Sequence, residues 1–185
     1  DCNKYHQDFS YSSDHLTIGW IGSPATWCYM EPYLDFLSAL SIKYQFDVLI
    51  IGSGISDPLP GRFRFIEWSE QREIQDIHEM HIGIMPLPDD KWAQGKCGYK
   101  LIQYMAASIP VIASPVGMNS KIVEHGVNGF LASTHADWEE AILTLISHPE
   151  IRKKMGIEAS NMVKSRYSLQ SQSQTITNIF HSLGN

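Results

Sequence analysis

The amino-acid sequence predicts an α/β fold, a Rossmann-like parallel sheet with helices on both faces. Two observations carry this. Short, almost continuously apolar runs alternate with segments of helical spacing, the pattern of a parallel sheet covered on both sides. Several of the runs also end on a Gly, Ser or Pro cluster, as at Gly22-Ser23-Pro24, Gly52-Ser53-Gly54 and Pro86 with Pro88, where an open α/β sheet turns from strand to helix.

The elements follow in order. Residues 1–15 read as an incoming linker, and residues 16–185 as one domain with helices packed at its C-terminal end. Leu16–Ile21 (LTIGWI) is the first strand, stopped by Gly22-Ser23-Pro24. Met30–Tyr44 carries Tyr33, Leu34, Leu37, Leu40 and Ile42 near helical spacing. Phe46–Ile51 is β-branched and stops at Gly52-Ser53-Gly54; Arg62–Ile66 alternates as a strand does. A helix after Ser69 places Ile74 and Ile77 on one face, and His81–Met85 is a strand closed by Pro86 and Pro88. Helix Tyr99–Ala107, strand Pro110–Ala113, short helix Ser120–His125 and strand Gly129–Ala132 come next. Thr134 caps a helix to Ser147, and helical stretches over Pro149–Val163 and Leu169–Leu183 complete the chain.

With 185 residues, 43% hydrophobic and 18% charged, the chain suffices for one full core. No apolar run approaches the roughly 20 residues of a membrane-spanning helix. The start is polar and lacks an initiator Met, as expected of a fragment or processed product. Cys2, Cys28 and Cys97 are widely spaced and form no metal-ligand pattern; a reducing cytoplasmic setting follows. A net charge of −6 opposes nonspecific nucleic-acid binding.

Against that acidic balance, Lys91–Val123 holds four lysines and no acidic residue. In an open α/β sheet a ligand sits outside the carboxyl ends of the strands. Gly95-Lys96-Cys97-Gly98 leads into a helix there. A glycine at that place lets backbone N–H groups approach a phosphate, and the helix dipole favours negative charge. Lys100 in the first turn is a cation at the unfavourable end of a helix, which hints at an anion; a solvated lysine beside a turn is the bland alternative. Gln103, one turn on, would reach a ribose hydroxyl if Lys100 meets a phosphate; an exposed helix glutamine is the commoner case. Ser23 either donates to a phosphate or caps its turn. Trp68 either stacks on a base or closes its strand by packing. Gly117, Asn119, Gly126 and Gly129 serve turns at least as readily as a ligand. Glu31 and Glu124 read as solvated, and His81 as structural, at the wrong end of the sheet. Gly52-x-Gly54 has no third glycine at dinucleotide spacing, and no GxSxG, HExxH or P-loop is present. Such a domain contributes binding and leaving-group stabilisation.

GYKLIQYMAASIPVIASPVG (Gly98–Gly117) with KIVEHGVNGFLAS (Lys121–Ser133) resembles the C-terminal half of GT-B glycosyltransferases, most of all the retaining family 4. IGWIGSPAT, FDVLIIGSG, HIGIMPLPDD and DWEEAILTLISHPEIRKKMG extend the resemblance from about Leu16 to the C-terminus. It implies the donor-binding half of a two-domain retaining enzyme, hexosyl-type, acting on a nucleotide-diphosphate-sugar with no prosthetic group and no metal. The preceding acceptor-binding half would be missing, the isolated fragment inactive, and the enzyme cytoplasmic, with peripheral attachment to the inner membrane face through the missing half. By the resemblance, Gly98, Tyr99 and Lys100 grip the diphosphate, and Lys100 stabilises the leaving group. Gln103 holds the ribose, Gly95, Lys96, Cys97 and Gly98 face the donor sugar, and Ile66–Trp68 abuts the base. The chain departs from the family's Glu-x7-Glu, with Gly95 and Gln103 at those positions, and from its Arg and Lys after the first strand, where Ser23-Pro24-Ala25-Thr26 stands. The departures keep three alternatives open. They are a degenerate nucleotide-binding or interaction module, a GT-B-like sugar-nucleotide epimerase half, and, least favoured, a flavodoxin-like or NAD-binding domain.

Overall fold

The computed structural model describes residues 2–5, 16–55 and 61–183. Six parallel strands form one sheet: β1 (Thr17–Ile21), β2 (Asp47–Ile51), β3 (Phe63–Ile66), β4 (Ile82–Met85), β5 (Val111–Ala113) and β6 (Gly129–Leu131). Their spatial order is β3-β2-β1-β4-β5-β6, so the direction of progression reverses between β1 and β4. That is the doubly wound arrangement the sequence predicts.

The apolar runs follow from burial on both faces. Along β2, Val48 and Ile50 enter one hydrophobic cluster while Leu49 and Ile51 enter the other. All four are fully buried. The Val48 and Ile50 side of the sheet is covered by α1 (Leu34–Tyr44) and α6 (His135–Ser147), through Leu37, Leu40, Trp138 and Ile142. The other side is covered by α4 (Tyr99–Ala106), α5 (Asn119–Ile122) and α7 (Pro149–Arg166), through Leu101, Met105, Ile122 and Val163. α2 (Glu73–Ile77) and α3 (Lys91–Gln94) are short, and α8 (Leu169–Leu183) closes the described chain. No helix of the described residues is long and apolar enough to cross a membrane.

Several boundaries differ from the sequence reading for local reasons. The helix expected from Met30 begins at Leu34, after 3-10 turns over Pro24–Tyr29 and Glu31–Tyr33. Each turn has a proline in its first positions, where the missing N–H does no harm. The short helix expected at Ser120–His125 spans Asn119–Ile122, because Val123 turns extended. Asn128 then braces the chain, donating to the Ile122 carbonyl at 3.1 Å and accepting from the Glu124 amide at 2.8 Å. α3 is a short helix to which the sequence reading assigned no element; it leads into the loop at Gly95, and Asp90 caps it by accepting from the Ala93 amide at 2.7 Å. The Thr134 cap forms as expected, with Asp137 returning the bond to the Thr134 amide. His81 is structural, accepting from the Thr17 amide at 3.1 Å. Of the incoming segment, Cys2–Tyr5 forms a 3-10 turn with Cys2 buried against the core; residues 6–15 lie outside the described residues.

Candidate functional site

The site begins where two strands part. β1 is registered with β2 over five residue pairs but with β4 over only two, Ile18 with Ile82 and Gly19 with Gly83. Beyond Gly19 the carboxyl ends separate into a crevice at the switch point, where ligands bind in such sheets. Separation leaves the Ile21 amide without a β4 partner. It donates instead to the Tyr104 hydroxyl at 2.8 Å, and Tyr104 is fully buried. Tyr104 thereby ties α4 to the crevice wall.

Over the crevice lies a cavity of about 220 Å³. Trp20, Tyr29, Met85, Pro86 and Leu87 form an apolar wall; Thr26 and the continuous run Lys96 to Lys100 form the rest. Among the described residues no acidic side chain lines it. Gly98 is the residue before α4, with φ +72, a left-handed conformation natural to glycine. A Cβ there would meet Ile122 Cδ1 at 2.4 Å. Gly98 thus brings the basic loop directly into the first turn of α4, whose Leu101 and Ile102 amides both return to the Gly98 carbonyl. The amides of Tyr99 and Lys100 stand ahead of those bonds, in the turn where a helix leaves N–H groups without intrahelical partners.

Lys100 is the centre of the site. Its Nζ lies 4.7 Å from the centroid of the Trp20 ring and donates to Thr26 Oγ1 at 3.2 Å. Burial first, and the charge of Lys96 second, push its pKa down to about 8. The ion pairs among the described residues are Lys43–Glu139, Arg62–Asp47, Arg64–Glu79 and Arg72–Asp76, and Lys100 belongs to none. Lys96 instead lies between two aromatic faces, 5.5 Å from the Tyr29 ring and 5.3 Å from the Trp92 ring. Two cations therefore meet at a cavity to which no described residue brings a counter-charge. An anionic group with two negative charges complements this arrangement.

The residues singled out from the sequence separate into two groups. Lys96, Cys97, Gly98, Tyr99 and Lys100 come together on the cavity. Ser23, Gly95, Trp68 and Gln103 stand outside its lining. Ser23 is exposed, and its amide donates to Thr26 Oγ1 at 3.0 Å, so it serves its own turn. Gly95 ends α3 with an ordinary φ of −79. Gln103 is not the exposed glutamine that was the alternative reading. It is buried, and its Nε2 donates to Glu73 Oε1 at 2.7 Å and to the Tyr5 hydroxyl at 3.3 Å. Trp68 is half exposed, and its Nε1 donates to Glu73 Oε2 at 2.7 Å. Sequence reasoning missed Trp20, Thr26, Tyr29 and Glu73. Thr26 was within reach, since the turn after the first strand is a switch-point loop; the others are set by tertiary packing.

A Rossmann-like domain with an anion-seeking helix N-terminus at its switch point is a nucleotide-binding class of architecture. Residues 17–148 match the sequence family described as glycosyl transferases group 1, and the chain belongs to that family. Among curated proteins it is 30% identical over 87 residues to trehalose synthase from Pyrococcus horikoshii, a match covering 47% of this chain and 21% of the relative. It is 44% identical over 61 residues to an uncharacterised glycosyltransferase of Methanocaldococcus jannaschii, covering 32% of this chain and 17% of the relative. Those matches therefore span about a fifth of the relatives' own length.

Solved structures share the fold at low identity. A glycosyltransferase from Rickettsia africae superposes with a TM-score of 0.78 at 16% identity, covering 98% of this chain and 55% of the other. Anabaena HepE in complex with UDP-glucose gives 0.78 at 18%, with the same coverages. The C-terminal domain of a group 1 glycosyltransferase from Francisella tularensis gives 0.61 at 18%, covering 84% of this chain and 87% of that one.

Proposed function

We propose that this chain is the donor-binding half of a retaining, hexosyl-type glycosyltransferase. Residues 16–185 form one domain, joined through residues 1–15 to an acceptor-binding half that precedes it. The donor is a nucleotide-diphosphate-sugar, and the working protein is cytoplasmic, at or near the inner membrane face. The observation that carries the donor site is Lys100: a largely buried ammonium without a carboxylate partner among the described residues, at the mouth of α4, on a cavity that also receives Lys96. A diphosphate diester carries two negative charges, which the two lysines offset. Main-chain amides of Tyr99 and Lys100 would add charge-assisted hydrogen bonds. As the bond from sugar to diphosphate breaks, negative charge grows on the departing oxygen, and a preorganised ammonium there lowers the barrier. The HepE complexes with UDP and with UDP-glucose support a nucleotide-sugar as the ligand class.

Thermal-shift and calorimetric titration with UDP, GDP, ADP, dTDP, NAD and FMN test this. Stabilisation by a nucleoside diphosphate, lost in Lys100→Ala, is the expected result. Silence across the panel from a folded chain rejects it and favours a second reading, a nucleotide-free interaction module. That reading draws on Gly95 and Gln103, which stand where the resemblance places two glutamates. The isolated chain is expected to transfer no sugar, because half the cleft lies in the preceding domain.

A further inference from the structure

A second polar constellation stands at the ligand edge of the sheet, around Glu73 in the first turn of α2. Its Oε1 accepts from Gln103 Nε2 at 2.7 Å and from the Tyr5 hydroxyl at 3.2 Å; its Oε2 accepts from Trp68 Nε1 at 2.7 Å. All three donors are neutral, and Glu73 is in none of the ion pairs of the described residues. A partly buried carboxylate offers roughly four acceptor directions, so three bonds fix its orientation and leave capacity for another donor. The constellation lies one turn from the proposed diphosphate contact, since Gln103 follows Lys100 by three residues, about 4.5 Å along the helix. Trp68 holds a half-exposed indole beside it.

We propose that Glu73 reads the ribose of the donor nucleotide, accepting from its vicinal hydroxyls and so selecting ribonucleotides over 2′-deoxyribonucleotides. This rests on the donor site proposed above and assigns its sugar-edge specificity. Position 103 alone pointed to Gln103 for this contact. In the folded chain the amide of Gln103 is spent as a donor on Glu73, so Gln103 is a positioning residue and the acceptor passes to a residue from another helix. A carboxylate can only accept, so on a sugar edge its partners are hydroxyls, and a deoxyribose has one fewer to give.

The test is calorimetric titration of the chain with UDP and 2′-deoxy-UDP, with the guanosine and adenosine pairs alongside, repeated on Glu73→Gln. The unaltered chain is expected to favour the ribonucleotide by about tenfold or more, the size of a hydrogen bond to a charged group. Glu73→Gln is expected to lose most of that preference while its affinity for the deoxynucleotide changes little. A merely structural role, acting through Trp68 or the packing of α4, would weaken both nucleotides equally and leave the ratio unchanged. Equal affinities in the unaltered chain, or a preference retained in Glu73→Gln, overturns the proposal. If Glu73→Gln fails to fold by circular dichroism, Glu73→Asp replaces it; the shortened carboxylate must also reduce the ratio. If no nucleoside diphosphate binds the unaltered chain, the donor site itself falls, and this assignment with it.

Discussion

Binding of a nucleotide-diphosphate-sugar is expected to take up a proton and to weaken above pH 8. In the free chain Lys100 titrates at about 8, against an ordinary value near 10.5. A diphosphate beside Nζ favours the ammonium form and moves the group back upward. A ligand that requires the ammonium binds fully only below the free-state value. At pH 9 about one tenth of the free chain carries the proton, so apparent affinity falls about tenfold between pH 7 and pH 9. At pH 8 about half a proton is taken up per ligand bound; at pH 7 the uptake is about one tenth. UDP-glucose suits the uptake measurement at pH 7 and pH 8, since its diphosphate diester has no proton to exchange there and its uracil N3–H ionises only at higher pH. Titration calorimetry in two buffers of different ionisation enthalpy reads the uptake directly. Lys100→Met is expected to abolish both the uptake and the pH dependence and to weaken binding by about 10- to 100-fold. An affinity flat from pH 7 to pH 9, or an uptake that survives in Lys100→Met, refutes the role given to this lysine.

The same group costs the free domain stability. Its folded pKa lies below the unfolded one, so the unfolded chain holds more protons and stability rises with pH between about 8 and 10.5. Lys100→Met should therefore raise the melting temperature of the ligand-free chain at pH 7, with a gain of no more than about 3 kcal/mol; an unchanged or lowered value opposes this. Gly98→Ala forces a Cβ to within 2.4 Å of Ile122 at a left-handed φ, and is expected to cost about 1–3 kcal/mol in denaturant unfolding and to abolish nucleotide binding. Gly95→Glu is the contrast. Its φ is ordinary and the nearest atom to a new Cβ is the Trp92 carbonyl oxygen at 3.4 Å, so the midpoint of unfolding should move by less than about 0.5–1 kcal/mol. Tyr104→Phe leaves the buried Ile21 amide without its acceptor and is expected to destabilise by about 1–3 kcal/mol, with a matching loss of exchange protection at Ile21.

Much of the fold was legible because the sheet is buried on both sides. Val48 to Ile51 cannot alternate in polarity when successive side chains enter two different cores, and that run, repeated at Ile82–Met85, identifies parallel strands. The loop from Lys96 to Lys100 was legible for a different reason, since glycine before a helix and lysine in its first turn are local signals. What stayed hidden depends on distant pairings. Nothing near Gln103 in the chain announces that its amide meets Glu73, thirty residues away, on another helix. Likewise the apolar wall of the cavity joins Trp20 and Tyr29 to Pro86 and Leu87 only because β1 and β4 are neighbours in the sheet.

A crystal structure of the chain with a bound nucleotide-diphosphate-sugar puts the central assignment to the most direct test. The diphosphate oxygens should lie within hydrogen-bonding distance of the Tyr99 and Lys100 amides, with the Lys100 ammonium turned from Thr26 onto the phosphate. A nucleotide seated elsewhere on the domain, with Lys100 still on Thr26, would contradict it.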